Sequence, residues 1–396
     1  MRPKVLMLAP DLPFPIRAGG QMRMASLCLA LAKCCELHIT CISKEIPEVT
    51  QEWANRLGIA IEHVPSAAID GTLAWYRHTV SVLTRNNLRY HREEDFALNI
   101  IYEHLHPDMV WLETPYLLRY AIAWKNEVPI VVDYWGTSEG AKRLFDHSRG
   151  INRVKGWLRW WVASGCERRY ARKLQDLVCV SKLDSQYFRS IAPQCRVWPV
   201  PNGIQEQPFS FTDNATQETP WSMLLTGDLS YQPNVDAAIF FAERIFPKIR
   251  QALPEAVFRL VGLDPSPSLR RLQDQPGIIL VGYVPDLAQE IRRCSLYVLP
   301  MRLGSGIRSK LFDVFPLGKA IVTTSVGAEG LELTHGENCL IADGEADFAD
   351  CCIQLLTDGT QRSQLGDAAK RLATEVYSQV KIDARVREIV AAITGR

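Results

Sequence analysis

The chain has 396 residues, 47% hydrophobic and 22% charged, with a formal net charge of +1. That length exceeds one ordinary core, so two domains are expected. The balanced charge gives no argument for nucleic acid or a strongly acidic partner, and eleven cysteines without a C-x-x-C spacing read as reduced, buried thiols of a cytoplasmic protein.

Val5 to Ala9 is an apolar run cut off by Pro10 and Pro13, too short for a signal segment and right for a buried strand. A Pro- and Gly-rich loop follows to Gly20. Met24, Leu27, Cys28 and Leu31 then fall at helical spacing, and Leu37 to Ile42 reads as a second strand. Further short runs at 109–112, 129–132, 177–180 and 196–200 continue a parallel α/β alternation. The polar stretch 205–220 has no periodicity and reads as a linker. Alternation restarts with strands expected at 222–226, 257–261, 278–281, 296–299 and 320–323, and the segment 361–393 reads as helical.

The resulting organisation is an N-terminal Rossmann-like domain over 1–204, the linker, a second Rossmann-like domain over 221–375, and a C-terminal helix over 376–396. The fold class is α/β, two such domains facing a cleft, with the last helix crossing back to the first domain. Ligands of open parallel sheets bind beyond the carboxyl ends of the strands.

The richest motif is Pro300 to Gly318, PMRLGSGIRSKLFDVFPLG. A strand ending at Leu299 runs into a loop with Gly304 and Gly306, then a helix with Leu311, Val314 and Phe315 on its apolar face. Glycines let backbone N–H groups approach an anion, the helix start adds partial positive charge, and Arg308 and Lys310 add two full charges. A diphosphate would fit. Asp313, on the Lys310 face, could accept ribose hydroxyls. The competing reading is a Gly-rich turn with solvated charges. The spacing is neither a dinucleotide fingerprint nor a P-loop.

These residues resemble the retaining glycosyltransferases of the GT-B fold, family 4 (glycosyl transferases group 1). Pro300, Arg302, Gly304, Gly306, Arg308, Lys310, Gly318, Val322 and Thr324 match a family pattern, which extends through Gly327-Ala328-Glu329-Gly330-Leu331. Gly227 to Asn234 is similar to the family's opening of the second domain, and Pro201-Asn202-Gly203-Ile204 to its hinge. Gly282-Tyr283-Val284 matches the strand end near the base. Gly19, Gly20 and Arg23 resemble its G-G-x-x-R loop, and Ser181 with Asp184 its V-S-x-x-D strand end. The resemblance implies a cytoplasmic enzyme of carbohydrate biosynthesis, without cofactor or metal. It would move a sugar from a UDP- or GDP-sugar to a hydroxyl acceptor with retention. Donor contacts would come from Gly227, Asn234, Tyr283, Val284, Gly304, Ser305, Gly306, Ile307, Arg308, Lys310 and Asp313. Gly19, Gly20, Arg23 and Glu113 would lie on the acceptor side.

Two departures stand out. Ser305 replaces the first of two acids eight apart, and Pro316 enters the helix interior where the family prefers Ala. They support one alternative, an inactive binding subunit; a second, a nucleotide-sugar epimerase, would want a carboxylate pair facing the donor sugar, and Ser305 argues against it. Arg308 and Lys310 would act catalytically by stabilising charge on the leaving phosphate. Asp133 would orient or deprotonate an acceptor hydroxyl, or else cap a turn with Gly136; Glu113 has a similar case. The stretch 151–174 carries Trp157, Trp160 and Trp161 among basic residues. It either lies on an anionic membrane as a peripheral contact or packs its indoles on the domain.

Overall fold

The computed structural model describes residues 2–16, 19–43, 45–65, 91–147, 150–204, 218–304 and 306–395. The chain divides into two compact units, one of Met1–Gln205 with Gln379–Arg396, the other of Glu206–Ser378. The expected linker at 205–220 lies outside the described residues except for 218–220.

The first unit is built on a parallel sheet. Its strands are β1 (Lys4–Ala9), β2 (Glu36–Ser43), β3 (Ala60–Pro65), β4 (Met109–Leu112), β5 (Ile130–Tyr134), β6 (Asp176–Cys179) and β7 (Arg196–Pro199). Their spatial order is β3-β2-β1-β4-β5-β6-β7. A strand inside such a sheet is covered on both faces, so it reads as a continuous apolar run rather than an alternating one. β1 shows the geometry: Val5, Met7 and Ala9 join one core layer, and Leu6 and Leu8 the other. The layer holding Val5 also contains Met24, Leu27 and Leu31 of the helix Gly19–Cys34. Ile382, Val386 and Ile389 of the last helix, Gln379–Thr394, complete it.

Polar pairs fix the register of those two helices. Ser26 donates its hydroxyl to Gln379 Oε1 at 2.9 Å, and Gln379 Nε2 donates to the Ser26 carbonyl at 2.9 Å. Lys33 meets Asp383 at 2.5 Å. Gly203 sits so close to this contact that a Cβ would fall 2.4 Å from Ser26 Oγ, which explains a glycine at that bend.

The second unit repeats the plan with β8 (Ser222–Thr226), β9 (Val257–Val261), β10 (Ile278–Gly282), β11 (Leu296–Leu299), β12 (Ile321–Thr323) and β13 (Leu340–Ile341). Their order is β10-β9-β8-β11-β12-β13, all parallel. Phe241, Phe246, Phe258 and Phe348 pack as one aromatic cluster beneath it. In both units the order reverses beside the first strand, and the two chains leaving there diverge to opposite faces. That divergence opens a crevice at the strands' carboxyl ends.

One expected element differs. The helix after the Gly304 loop is a single α-turn, Leu311–Val314, followed by a 3-10 turn, Phe315–Leu317, and Gly318 at φ 62°. Pro316 has no N–H to continue the ladder, and the left-handed glycine ends it. One turn carries little dipole, so positive charge at this place comes from side chains.

Candidate functional site

At the switch point of the second unit, β8 delivers Gly227 to Asn234 and β11 delivers Pro300 to Lys310. The two loops meet through Lys310. Its Nζ donates to Asn234 Oδ1 at 2.6 Å, and Asn234 Nδ2 donates in turn to the Asp228 carbonyl at 2.8 Å. A Cβ on Gly227 would lie 3.0 Å from Lys310 Nζ and 2.8 Å from Asn234 Nδ2, so only glycine leaves the ammonium this close to the backbone. Gly262 is equally tied: a Cβ there would overlap the Gly227 carbonyl oxygen at 1.7 Å.

Arg308 is buried beneath Gly304, where a Cβ would sit 2.9 Å from the guanidinium. It donates to the Val326 carbonyl at 3.2 Å and faces Glu329 at 3.9 Å. The two cations are neighbours. Burial, then the charge of Arg308, bring the Lys310 pKa down to about 7 against the pull of Asp228. Asp228 itself is exposed, and its carboxylate is held below the usual range chiefly by the Ser230 hydroxyl. Asp313, half-buried, is pushed up to about 6 by burial. Two cations and the carboxyl groups of Glu329, Asp228 and Asp313 thus gather at one strand end, and perturbed titration of this kind concentrates at functional sites.

The other expected contacts sort as follows. Gly306 is buried with φ 70°, Ile307 is half-buried, and Ser305 lies outside the described residues. Tyr283 is 68% exposed just beyond β10, beside half-buried Val284. Arg302 is engaged structurally, forked onto Asp236 at 2.7 and 3.1 Å and stacked over Phe240.

The first unit holds five expected residues near its own strand ends, in different surroundings. Arg23 is 2% exposed and forks onto both oxygens of fully buried Asp133 at 2.5 Å each. It also donates to the Val200 carbonyl and Asn202 Oδ1, at 2.9 and 3.1 Å. Burial works against the Arg23 charge, and Asp133 more than offsets it. Both Asp133 oxygens are thus engaged by Arg23, and Trp135 also hydrogen-bonds this carboxylate. Glu113 is also fully buried. Its Oε1 accepts from Trp111 Nε1 at 2.9 Å, while Oε2 has no partner among the described residues. Burial and Asp133 push its pKa up to about 8. Gly19 and Gly20 open the first helix, and the Trp135 ring lies so near Gly20 that a Cβ would be 2.7 Å from it.

The helix Gly150–Ala171 divides along its length. Val162, Cys166 and Tyr170 are buried, whereas Val154 and Trp157 are 58% and 41% exposed, with Arg153, Lys155 and Arg159 exposed beside them. Trp157 stacks on Trp161 at 6.1 Å. No helix among the described residues is long and apolar enough to cross a membrane.

Residues 222–358 match the family described as Glycosyl transferases group 1. A curated relative from Klebsiella pneumoniae, an "Uncharacterized 44.6 kDa protein in cps region", is 23% identical over 171 residues, 41% of this chain. The match spans 44% of that protein's length. Among solved structures, Anabaena Alr3699/HepE in complex with UDP and glucose superposes with a TM-score of 0.62 at 14% identity, over 98% of this chain and 100% of that one. Sucrose-phosphate synthase from Thermosynechococcus elongatus gives 0.69 at 11% identity, covering 100% of both chains. The fold is therefore GT-B, and the family match lies in its second unit, residues 222–358.

Proposed function

We propose that this GT-B chain, with its glycosyl transferases group 1 domain, moves a sugar from a nucleotide-diphospho-sugar to a hydroxyl acceptor with retention of anomeric configuration. The observation that carries the reading is the pairing of Arg308 and Lys310 under Gly304 and Gly227, with the ammonium pKa brought down to about 7. A diphosphate set between them would relieve their repulsion. UDP in the Anabaena neighbour supports a nucleotide donor.

In this reading the glycosidic bond to the diphosphate breaks through an oxocarbenium-like state, and charge grows on the leaving oxygen. Arg308 and Lys310 meet that charge more strongly in the transition state than in the ground state. They neutralise the diphosphate with protein cations. Asn234 holds Lys310 in place, Asp313 takes donor hydroxyls, and exposed Tyr283 with Val284 offers a face to the base. Gly19, Gly20, Arg23, Glu113 and Asp133 shape the acceptor side. Arg23 and Asp133 do so by holding β5 against the chain that follows β7. The exposed Val154 and Trp157, ringed by Arg153, Lys155 and Arg159, support peripheral contact with an anionic membrane by residues 151–174.

A thermal-shift screen of UDP-, GDP- and ADP-sugars tests the reading. A ligand at 100 times its Kd stabilises the folded state by about 2.7 kcal/mol. The expected result is a shift with one nucleotide series that Lys310→Ala removes. No shift with any series would defeat the proposal.

A further inference from the structure

The first unit contains a cavity of about 320 Å³ that the diphosphate chemistry does not use. It opens at the carboxyl ends of β4 and β5, with the helix Gly150–Ala171 as one wall. Tyr116, Tyr134, Trp135, Ser138 and Glu167 line it. Its size lies at the lower end of small-ligand pockets, about 300–1,000 Å³.

Three features define what it can hold. Glu167 supplies a carboxyl group pushed up to about 7 by burial. Tyr187 donates to its Oε2 at 2.7 Å, and Ser138, whose hydroxyl lies 3.2 Å from that of Tyr187, also hydrogen-bonds the carboxyl. Tyr134 is 2% exposed, yet its hydroxyl has no partner among the described residues. A buried phenol without a partner is unfavourable, and a ligand hydroxyl would relieve it. Finally, the wall offers two accessible aromatic rings, Tyr116 and Trp135. The Trp135 ring is set in place by the backbone of Gly20.

Among the described residues no lysine or arginine lines the cavity. A phosphate or nucleotide would find no positive charge to meet among them. A hydroxyl-rich ring with apolar C–H faces finds both stacking surfaces and hydrogen-bond partners. We propose that this cavity binds a neutral pyranose ring, as the sugar subsite of the acceptor. Only the word acceptor rests on the transfer reading given above. Glu167 and Ser138 would hold ring hydroxyls, Tyr134 a further one, and Tyr116 and Trp135 the ring faces.

The test uses the full chain and the methyl pyranosides of glucose, galactose, mannose, N-acetylglucosamine and rhamnose, followed by saturation-transfer NMR and calorimetry. At least one is expected to bind. Glu167→Gln and Tyr116→Ala should each weaken it about tenfold, and Tyr134→Phe about fivefold, as one hydrogen bond is worth. UDP-glucose is titrated in parallel, and its affinity should not change in these variants. No binding across the panel, or binding indifferent to both Glu167→Gln and Tyr116→Ala, overturns the subsite. Pyranoside binding with these losses in a chain that binds no nucleotide sugar upholds the subsite and removes the transfer reading instead.

Discussion

Arg23 and Lys310 occupy comparable ground, each near the carboxyl ends of a parallel sheet, and their surroundings are opposite. Arg23 has a carboxylate on its fork, a carbonyl and an amide on its remaining edge, and almost no exposure. Lys310 has one neutral amide, a second cation beside it, and a pKa brought down to about 7. The first charge is spent inside the protein, joining β5 to the segment after β7. The second, in the proposed reading, meets the diphosphate of the donor. The partner of a cation, more than its position on the fold, separates a structural charge from a binding one.

The largest effect expected from this contrast is on stability. Arg23→Ala leaves Asp133 buried without its counter-ion, which costs about 3–5 kcal/mol. Thermal unfolding of the variant should show Tm lower by roughly 6–20 °C. A Tm within a degree of the parent would show that the pair is not a clamp. Removing Arg308 or Lys310 should act in the other currency, lowering the transfer rate from the preferred nucleotide sugar about 10²–10³-fold. Circular dichroism melting should find both variants folded and Lys310→Ala melting with the parent, so a large Tm loss in Lys310→Ala would collapse the distinction.

A smaller effect separates the two through pH. A nucleotide sugar keeps its diphosphate charge between pH 6.5 and 8.5, while free Lys310 loses its proton above about 7. Binding that requires the ammonium therefore weakens as pH rises, by roughly 20-fold over that interval. Calorimetry should see this slope in the parent and a flat response in Lys310→Arg. The smallest effect concerns Glu113. Its folded pKa of about 8 lies above the ordinary 4.5, so the native state keeps a proton that the unfolded chain has released. Stability from this group is full below about 4.5 and is lost as pH climbs to about 8. Glu113→Gln cannot lose that proton. Its Tm advantage over the parent should grow from pH 5 to pH 8, by about 2–4 °C for each kcal/mol involved.

Much of the fold was legible because buried parallel strands are written as apolar runs. β4, β8, β9 and β11 occupy the segments that hydropathy alone marks out. β3 escaped because it is an edge strand whose Glu62 and His63 break the run. β13 escaped because two residues carry no pattern. The Gly304 loop and its cations were legible as a cluster in sequence. Shortening of the following helix to one turn follows from Pro316, which the sequence displays. The Arg23–Asp133 fork joins residues 110 positions apart, and no local pattern announces it. The cavity was missed for a similar reason. Tyr116, Trp135 and Glu167 come from three separate segments, and the one local hint was the polar-aromatic run Tyr134 to Ser138 after a strand.

The central claim is that Arg308 and Lys310 together grip the diphosphate of an activated sugar. Its most direct measurement is calorimetric titration of the preferred nucleotide sugar into the parent chain and into Arg308→Ala and Lys310→Ala, with melting temperatures recorded alongside. The account predicts a single site in the parent and affinity at least about tenfold lower in each variant, as loss of one charged hydrogen-bond partner implies, with the melting temperature unchanged in Lys310→Ala. Equal affinities in all three proteins would contradict it.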